Sequence, residues 1–212
     1  MLTKSVRDLI NLLIDYRIRK KTTKFSMLQL ILYLMIVFLL LIFLIFMSVY
    51  GASLILSSMY GAPYVPTKNN LAKEILKGVK FKKNGLFVEL GSGDGRIVRT
   101  AVKNYGVKGI GVDINGLLVF WSKIIKFLDP RLRGDDKLSF ITANILKADL
   151  TKADYLYLFL FPDLINRLKP NFDRQLKKGA IIISHGFPVK GYEKKLIKKV
   201  PRNTFPTYYY KI

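Results

Sequence analysis

The sequence predicts an α/β fold in which a doubly wound, mostly parallel β-sheet follows one long apolar helix. β-type and helix-type segments alternate over residues 84–212, which is typical of a parallel sheet covered by helices. A glycine-rich turn, Gly91-Ser92-Gly93-Asp94-Gly95, joins the first strand of that region to its first helix. Residues 25–67 contain no Asp, Glu, Lys or Arg. We therefore divide the chain into a basic segment (1–25), a transmembrane helix (26–58), a flap with a helix (59–83) and an α/β core (84–212).

The composition limits the classes of function. The 212 residues include no Cys and one His, so disulfides and Cys-ligated metals are excluded and no metal site is expected. The formal net charge of +22 suits nucleic acid or an anionic membrane face. The lysines are scattered, however, and form no single basic stripe, so the charge fits an AT-rich coding sequence equally well.

The basic segment, residues 1–25, has apolar residues at helical spacing. They are Val6, Leu9, Ile10, Leu13 and Ile14. This pattern predicts an amphipathic helix on anionic lipid. A solvated basic leader is the alternative.

The apolar stretch that follows is long enough to cross a bilayer. Roughly 20 helical residues span the hydrocarbon layer, and Leu30 to Met47 is apolar throughout. The stretch is too long, and too much chain precedes it, for a cleaved signal peptide. Basic residues flank it on both sides, so the positive-inside rule gives no orientation.

Residues 62–67, after the apolar stretch, contain two prolines that keep the chain extended. The segment is either a plain linker or a flap over a ligand. As a flap it would turn the Tyr64 ring and the Thr67 hydroxyl toward that ligand.

The glycine-rich turn indicates a ligand site. Glycine accepts positive φ and lets a ligand approach the backbone closely, which makes Gly91, Gly93 and Gly95, with Ser92 between them, candidate binding residues. The N-terminus of the next helix favours a negative group, such as a carboxylate or phosphate.

Two acids flank this turn. Asp113 ends the second strand, about 20 residues further on, where a carboxylate binds ribose hydroxyls. Glu89 stands two positions before the first glycine and suits a cationic amino-acid end better than a pyrophosphate. The third glycine also comes one position earlier than in the dinucleotide fingerprint. The pattern is similar to the S-adenosylmethionine (SAM) site of class I methyltransferases; an NAD site and a merely structural turn are the alternatives.

The remaining core supplies further candidates. A helix over 115–128 carries Trp121, which we expect in the core. Asn144 ends the third strand, where its amide can meet the adenine amine. The fourth strand, 154–161, leads into Phe161-Pro162-Asp163, which lies over the place where the methyl group would be.

His185 ends the fifth strand and is either structural or orients an incoming amine. Methyltransferases that act on the amino groups of bases carry an Asn/Asp-Pro-Pro-aromatic motif after the fourth strand. This chain has Phe161-Pro162-Asp163 there, so no nucleic-acid partner is expected. Two closing strands, 196–200 and 207–212, complete the predicted sheet.

Four stretches together resemble one family, the small seven-strand protein lysine methyltransferases. This family includes an archaeal broad-specificity enzyme and the membrane-anchored mitochondrial enzymes for the adenine nucleotide carrier and the ATP synthase c-subunit. The stretches are Ala62-Pro63-Tyr64-Val65-Pro66-Thr67, Gly91-Ser92-Gly93-Asp94-Gly95-Arg96, Leu168-Lys169-Pro170 and Ser184-His185-Gly186-Phe187. The resemblance implies a Rossmann-like class I fold and SAM contacts at Tyr64, Thr67, Glu89, Gly91, Gly93, Asp113 and Asn144. The chain departs from it at Gly186, where some relatives have Glu, and at Phe161-Pro162-Asp163.

The resemblance implies a membrane-anchored enzyme that methylates an accessible lysine ε-amine of a protein, with membrane proteins among the candidate substrates. Phe161, Asp163 and His185 are the candidates for its catalytic residues. Tyr64, Phe161 and Phe187 are the candidates for an aromatic mouth that receives the lysine. Because SAM is cytosolic, we expect the catalytic domain on the cytoplasmic side, with the N-terminus outside or the apolar run folded as a hairpin. A small-molecule or lipid methyltransferase and a non-catalytic SAM-binding adaptor are the alternatives.

Overall fold

The computed structural model describes residues 4–22, 27–59, 65–134 and 136–212. It divides into two compact units, residues 1–49 and 50–212. The first unit contains helix α1 (Lys4–Thr22) and most of helix α2 (Met27–Met59). The apolar run is therefore one continuous helix and not a hairpin.

Helix α2 is exposed over most of Met27–Ile55, with partly buried positions near residues 50–54. This segment has the length and composition of a membrane-spanning helix. Apolar side chains surround it on every side, as in a helix that faces lipid or lies in a large core. In the structure no residue of this segment is fully buried.

The second unit contains one seven-stranded sheet with helices on both faces. Its helices are α3 (Asn69–Leu76), α4 (Arg96–Tyr105), α5 (Gly116–Leu128) and α6 (Pro162–Gln175). Its strands are β1 (Leu86–Leu90), β2 (Lys108–Asp113), β3 (Leu138–Thr142), β4 (Tyr155–Leu158), β5 (Ile181–His185), β6 (Leu196–Val200) and β7 (Thr207–Lys211).

The strand order is β3-β2-β1-β4-β5-β7-β6. The first five strands pair in parallel, and β7 pairs antiparallel with both β5 and β6. This confirms the predicted doubly wound, mostly parallel sheet. The chain reverses its direction of winding between β1 and β4, and in such sheets ligands bind beyond the carboxyl ends of the strands at this point.

Apolar side chains cover both faces of the sheet. One cluster includes Ile75 of α3 and Val98 of α4, and the other includes Ile165 and Phe172 of α6. Trp121 belongs to neither cluster, because it lies on the outer side of α5 and is 54% exposed. The expectation that it is a core residue was wrong.

Candidate functional site

A cavity of about 820 Å³, including its open mouth, lies beyond the carboxyl ends of β1, β2 and β4. The glycine-rich turn and the acids form one end of it, and phenylalanine rings form the other. The extended residues 65–67 also line it. The polar described residues in its wall are Thr67, Glu89, Ser92, Asp94, Arg96, Asp113 and Tyr157.

The glycine-rich turn needs its glycines. Gly91, Gly93 and Gly95 have φ of 75°, 52° and 71°, in the left-handed region that other residues rarely adopt. A Cβ on Gly91 would lie 2.8 Å from Leu160, and a Cβ on Gly95 would lie 2.2 Å from the Phe140 ring. Gly91 and Gly93 line the cavity, whereas Gly95 caps α4.

Glu89 is buried on β1 and has one hydrogen bond to the start of α4. Its Oε2 accepts from the Val98 amide at 2.9 Å. Burial raises the pKa of this carboxyl well above its ordinary value, and the nearby Asp94 and Asp113 add to that shift, while the Val98 amide and Arg99 oppose it. A cationic ligand group beside Glu89 would favour its ionised form.

Asp113 is held at the tip of β2 by backbone donors. Its Oδ2 accepts from the Gly93 amide at 2.7 Å and its Oδ1 from the Asn115 amide at 2.8 Å. Burial raises its pKa, and these amides lower it. Each carboxylate oxygen can accept a further hydrogen bond, so Asp113 can bind the hydroxyls of a ribose.

Arg96 connects the glycine-rich turn to the segment before α3, a feature that we did not predict. Its Nη1 donates to the Thr67 carbonyl at 2.6 Å, and its Nη2 donates to Asp94 at 2.7 Å. Thr67 lines the cavity, as expected of a flap residue. Tyr64 lies outside the described residues.

A buried hydroxyl at the cavity, that of Ser92, has no hydrogen-bond partner among the described residues. Tyr157 stands beside Glu89 in the register of β4 and β1. Burial together with the Glu89 charge raises the pKa of Tyr157, and a hydrogen bond with the Thr67 side chain lowers it. Unsatisfied buried polar groups are rare, so the Ser92 hydroxyl indicates a polar ligand.

Phenylalanine rings line the opposite end of the cavity. Phe161 and Phe187 have centroids 6.0 Å apart, and Phe159 and Phe205 have centroids 5.3 Å apart. Sequence reasoning identified Phe161 and Phe187 but missed Phe159, and it missed Phe205 because that residue lies in a loop between β6 and β7. Aromatic faces attract cations, and an apolar wall disfavours charge.

His185 lies behind these rings and is not part of the described lining. Its Nδ1 is 2.9 Å from the Thr207 hydroxyl, and its ring centroid is 4.7 Å from that of Phe159. Burial, aided by Arg202, lowers its pKa to about 4. The imidazole is therefore neutral at physiological pH.

Asp163 and Asn144 also lie outside the described lining. Asp163 is exposed in the first turn of α6. Asn144 is exposed too, and its side chain caps a short 3₁₀ helix by accepting from the Leu146 amide at 2.9 Å. Their roles toward a ligand stay predictions.

The sequence model of one protein family, described as the ANTKMT methyltransferase domain, matches residues 89–196. The match covers half of the chain and includes both acids and the glycine-rich turn. The chain belongs to the ANTKMT methyltransferase family. Thr67 and the rest of the flap precede the matched residues. Family membership makes the chain a class I SAM-dependent methyltransferase.

Relatives of this ANTKMT-family chain include two groups of lysine methyltransferases. A protein-lysine N-methyltransferase from Saccharolobus islandicus is 30% identical over 149 residues, which cover 65% of this chain and 84% of that protein. The lysine N-methyltransferases for the ATP synthase c-subunit of Xenopus laevis and Homo sapiens are 29% and 28% identical over 126 residues. The matches cover 59% of this chain and 54% and 52% of those proteins, so the chain spans about half of their length.

Solved structures agree with the fold and the cofactor of the ANTKMT family. A Salinibacter ruber RNA methyltransferase with S-adenosyl-L-homocysteine has a TM-score of 0.64 at 26% identity and covers 70% of this chain and 94% of its own. MtNAS in complex with MTA and tNA has a TM-score of 0.54 at 18% identity, over 66% of this chain and 60% of its own, which supports the fold alone.

The site residues fit SAM chemically. The buried acid on β1, the acid at the tip of β2 and the Ser92 hydroxyl offer acceptors and a donor for an ammonium, a ribose and a carboxylate. The family and the solved relatives confirm SAM as the cofactor. The roles of the single residues toward it stay predictions.

Proposed function

We propose that the chain transfers a methyl group from SAM to the ε-amine of a lysine in a protein. The observation that carries this proposal is the phenylalanine-lined end of the cofactor cavity. The names of the archaeal and animal relatives support the choice of lysine as acceptor.

Within this proposal each end of the cavity has a role. Glu89 binds the ammonium of SAM, and Asp113 binds the ribose. The turn Gly91-Ser92-Gly93 lies against the amino-acid end, where the Ser92 hydroxyl donates to the carboxylate, since the amides of these three residues already donate to the Val112 carbonyl and to Asp113. Gly95 shapes the turn and begins α4. Thr67, together with Tyr64, covers the cofactor, and Asn144 is assigned to the adenine.

The phenylalanine-lined end of the cavity would bind the acceptor lysine and favour its neutral form. When bound, SAM supplies a sulfonium methyl that a neutral amine attacks in line, so that a C–N bond forms as the C–S bond breaks. The aromatic faces of Phe161 and Phe187 hold the lysine ammonium, and the apolar wall lowers its pKa so that it releases its proton to water before the attack. Holding the amine in line is then the main contribution of the protein.

Neither His185 nor Asp163 is needed as the base in this scheme. A group with a pKa of about 4 accepts a proton weakly near neutral pH. His185 instead fixes the positions of Phe159 and Phe205, whose ring centroids are 4.7 and 6.0 Å from its own.

The proposal includes a membrane location. Helix α2 would cross the bilayer once and place the catalytic unit on the cytoplasmic side, where SAM is available. The exposed apolar surface of Met27–Ile55 supports this location, and the net charge of +22 would favour an anionic lipid face.

The test uses the full chain in its membrane. The protein is incubated with methyl-labelled SAM and membranes of the source organism, with Gly93→Arg as the inactive control. Label in a protein band, mapped to lysine by mass spectrometry, is the expected result. Label that moves into organic solvent would replace the proposal with a lipid methyltransferase, and nuclease-sensitive label would replace it with an RNA methyltransferase. Stoichiometric SAM binding with no label would favour a non-catalytic adaptor.

A further inference from the structure

The outer side of α5 carries large apolar side chains that the rest of the chain does not cover. Phe120, Trp121, Phe127 and Leu128 are each more than half exposed, and Leu117 is 37% exposed. The spacing of residues 117, 120, 121 and 128 places them on one face of the helix, opposite the buried Leu118 and Ser122. We call the five exposed residues the α5 apolar face.

Basic side chains border the α5 apolar face. Arg133 lies over the Phe127 ring, with its Cζ 5.0 Å from the ring centroid. A shallow groove beside Phe127 is lined by Lys123, Lys126 and Arg133. Helix α5 itself contains no acid, and the acid that follows it, Asp129, is ion-paired to Lys103 and Arg131. Two further acids, Asp135 and Asp136, follow in the chain, but basic residues outnumber acids over residues 115–137, so this region has a net positive charge.

The beginning of α5 is bonded to the last turns of the apolar helix. The Ser53 hydroxyl donates to Asn115 Oδ1 at 2.7 Å, and Asn115 Nδ2 donates to the Ser53 carbonyl at 3.3 Å. Both residues belong to the compact unit that begins at Tyr50. Asn115 also caps α5 by accepting from the Leu117 and Leu118 amides.

We infer that the α5 apolar face lies in the headgroup layer of an anionic membrane. A mainly apolar helical segment of 29 residues is longer than the ~30 Å hydrocarbon layer, so its last turns reach the headgroups. The bonds between Ser53 and Asn115 keep the start of α5 at that level. Tryptophan and phenylalanine with neighbouring Lys and Arg are the residues that interfacial helices use at such depths.

Lipid fits this face better than a protein partner does. The groove lined by Lys123, Lys126 and Arg133 offers cations to lipid phosphates beside the rings that would enter the acyl boundary. Contact through α5 would fix the orientation of the catalytic unit on the bilayer, which a single helix cannot do alone. This orientation rests on the proposed crossing of the bilayer by α2 and does not depend on which molecule accepts the methyl group.

Trp121 is the only tryptophan of the chain, so its fluorescence reports on this face alone. The full chain is reconstituted into phosphatidylcholine vesicles with and without phosphatidylglycerol. We expect blue-shifted emission, protection from acrylamide, and stronger quenching by lipids brominated near the headgroup than by lipids brominated deep in the acyl chains. Phosphatidylglycerol should strengthen each effect. Alkaline carbonate extraction measures the insertion of α2 separately.

Two sets of variants make the test specific. Lys123→Glu with Arg133→Glu should abolish the phosphatidylglycerol dependence, and Phe120→Ser with Phe127→Ser should reduce the bromolipid quenching severalfold. Ile197→Ser, at an exposed apolar position on β6, is the matched control and should change neither. SAM affinity should stay unchanged in all of them, which shows that the fold is intact.

An inserted protein whose Trp121 is quenched by acrylamide but not by brominated lipid would overturn the inference. Protection from acrylamide that depends on protein concentration, without bromolipid quenching, would also overturn it and assign the face to a second copy of the chain.

Discussion

Glu89 shows at the scale of one residue how a binding site opposes stability. Its carboxyl is buried and its pKa is raised by that burial. Between the ordinary pKa and the raised one, the folded chain keeps a proton that the unfolded chain has lost, so stability falls as the pH rises. A cationic ligand compensates for this cost only when it is bound.

We therefore predict that Glu89→Gln stabilises the ligand-free protein and weakens SAM binding. The glutamine oxygen can still accept from the Val98 amide, but it carries no charge for an ammonium. The Tm difference from the native protein should grow as the pH rises above the ordinary pKa of a glutamate and toward the raised pKa of Glu89. SAM affinity should fall about 10- to 100-fold, because one hydrogen bond between charged groups is lost.

Thermal unfolding across pH and calorimetric SAM titration measure the two effects of Glu89→Gln. Asp136→Asn, at an exposed acid that does not line the cavity, serves as the control. Unchanged SAM affinity in Glu89→Gln would remove the ammonium assignment.

Asp113 and Glu89 can be distinguished by a ligand without the amino-acid part. 5′-Methylthioadenosine keeps the ribose and the adenine of SAM. Asp113→Ala should weaken both ligands by about 10-fold or more, because the ribose hydroxyls lose their acceptor. Glu89→Gln should weaken SAM alone. Titration of both ligands into both variants is the measurement, and equal affinity of native protein and Asp113→Ala for SAM would refute the ribose assignment.

His185 is expected to leave the pH dependence of the reaction unchanged. Its pKa of about 4 lies below the working range, so the rise of kcat with pH should belong to the acceptor amine. In His185→Asn, which can keep the bond to Thr207, the rising limb should remain at the same pH and SAM affinity should stay within about twofold. A rising limb that moves in this variant would identify His185 as the base.

At the scale of elements, Arg96 joins the flap to the glycine-rich turn. One guanidinium holds both the Thr67 carbonyl and the Asp94 carboxylate, and the single ammonium of lysine cannot reproduce that fork. Arg96→Lys should therefore speed SAM dissociation by about 10-fold. Stopped-flow displacement measures the rate, and Arg131→Lys, 74% exposed, is the control. An unchanged rate in Arg96→Lys would mean that the flap does not retain the cofactor.

The sequence predicts the position of some structural elements of the site well and of others poorly. The glycine turn and the acids of β1 and β2 were predictable, because positive φ and strand tips leave local signatures. The Arg96 bond to Thr67 joins residues far apart in the chain and leaves no such signature. The burial of Trp121 was predicted wrongly. The sequence of α5 is apolar on most sides, so only the structure shows which side of the helix packs against the core.

At the scale of the whole molecule, the catalytic unit carries the complete sheet and all described cavity residues, from Val65 to Phe205. Its aromatic end was foreseen only in part, because Phe159 and Phe205 meet through strands that are distant in sequence. The N-terminal helices add no described residue to the cavity. The N-terminal helices should therefore affect the location of the enzyme in the cell and its access to acceptors, and leave SAM binding and the chemical step unchanged.

The fragment 60–212 tests that division, because it lacks residues 50–59 and the bonds of Ser53 to Asn115 but keeps every described buried core residue and every described cavity residue. It should keep its circular dichroism spectrum and bind SAM within about twofold of the full chain, since its core is complete. On acceptors in membranes its rate should fall about 10-fold or more, because an anchored enzyme meets a membrane acceptor at a much higher effective concentration. An unrelated single-span helix joined to residue 60 should restore much of that rate. Equal rates of the fragment and the full chain on membrane acceptors would show that the anchor does not deliver the enzyme to its substrate. Loss of SAM binding in the fragment would show that the catalytic unit needs the N-terminal helices to fold.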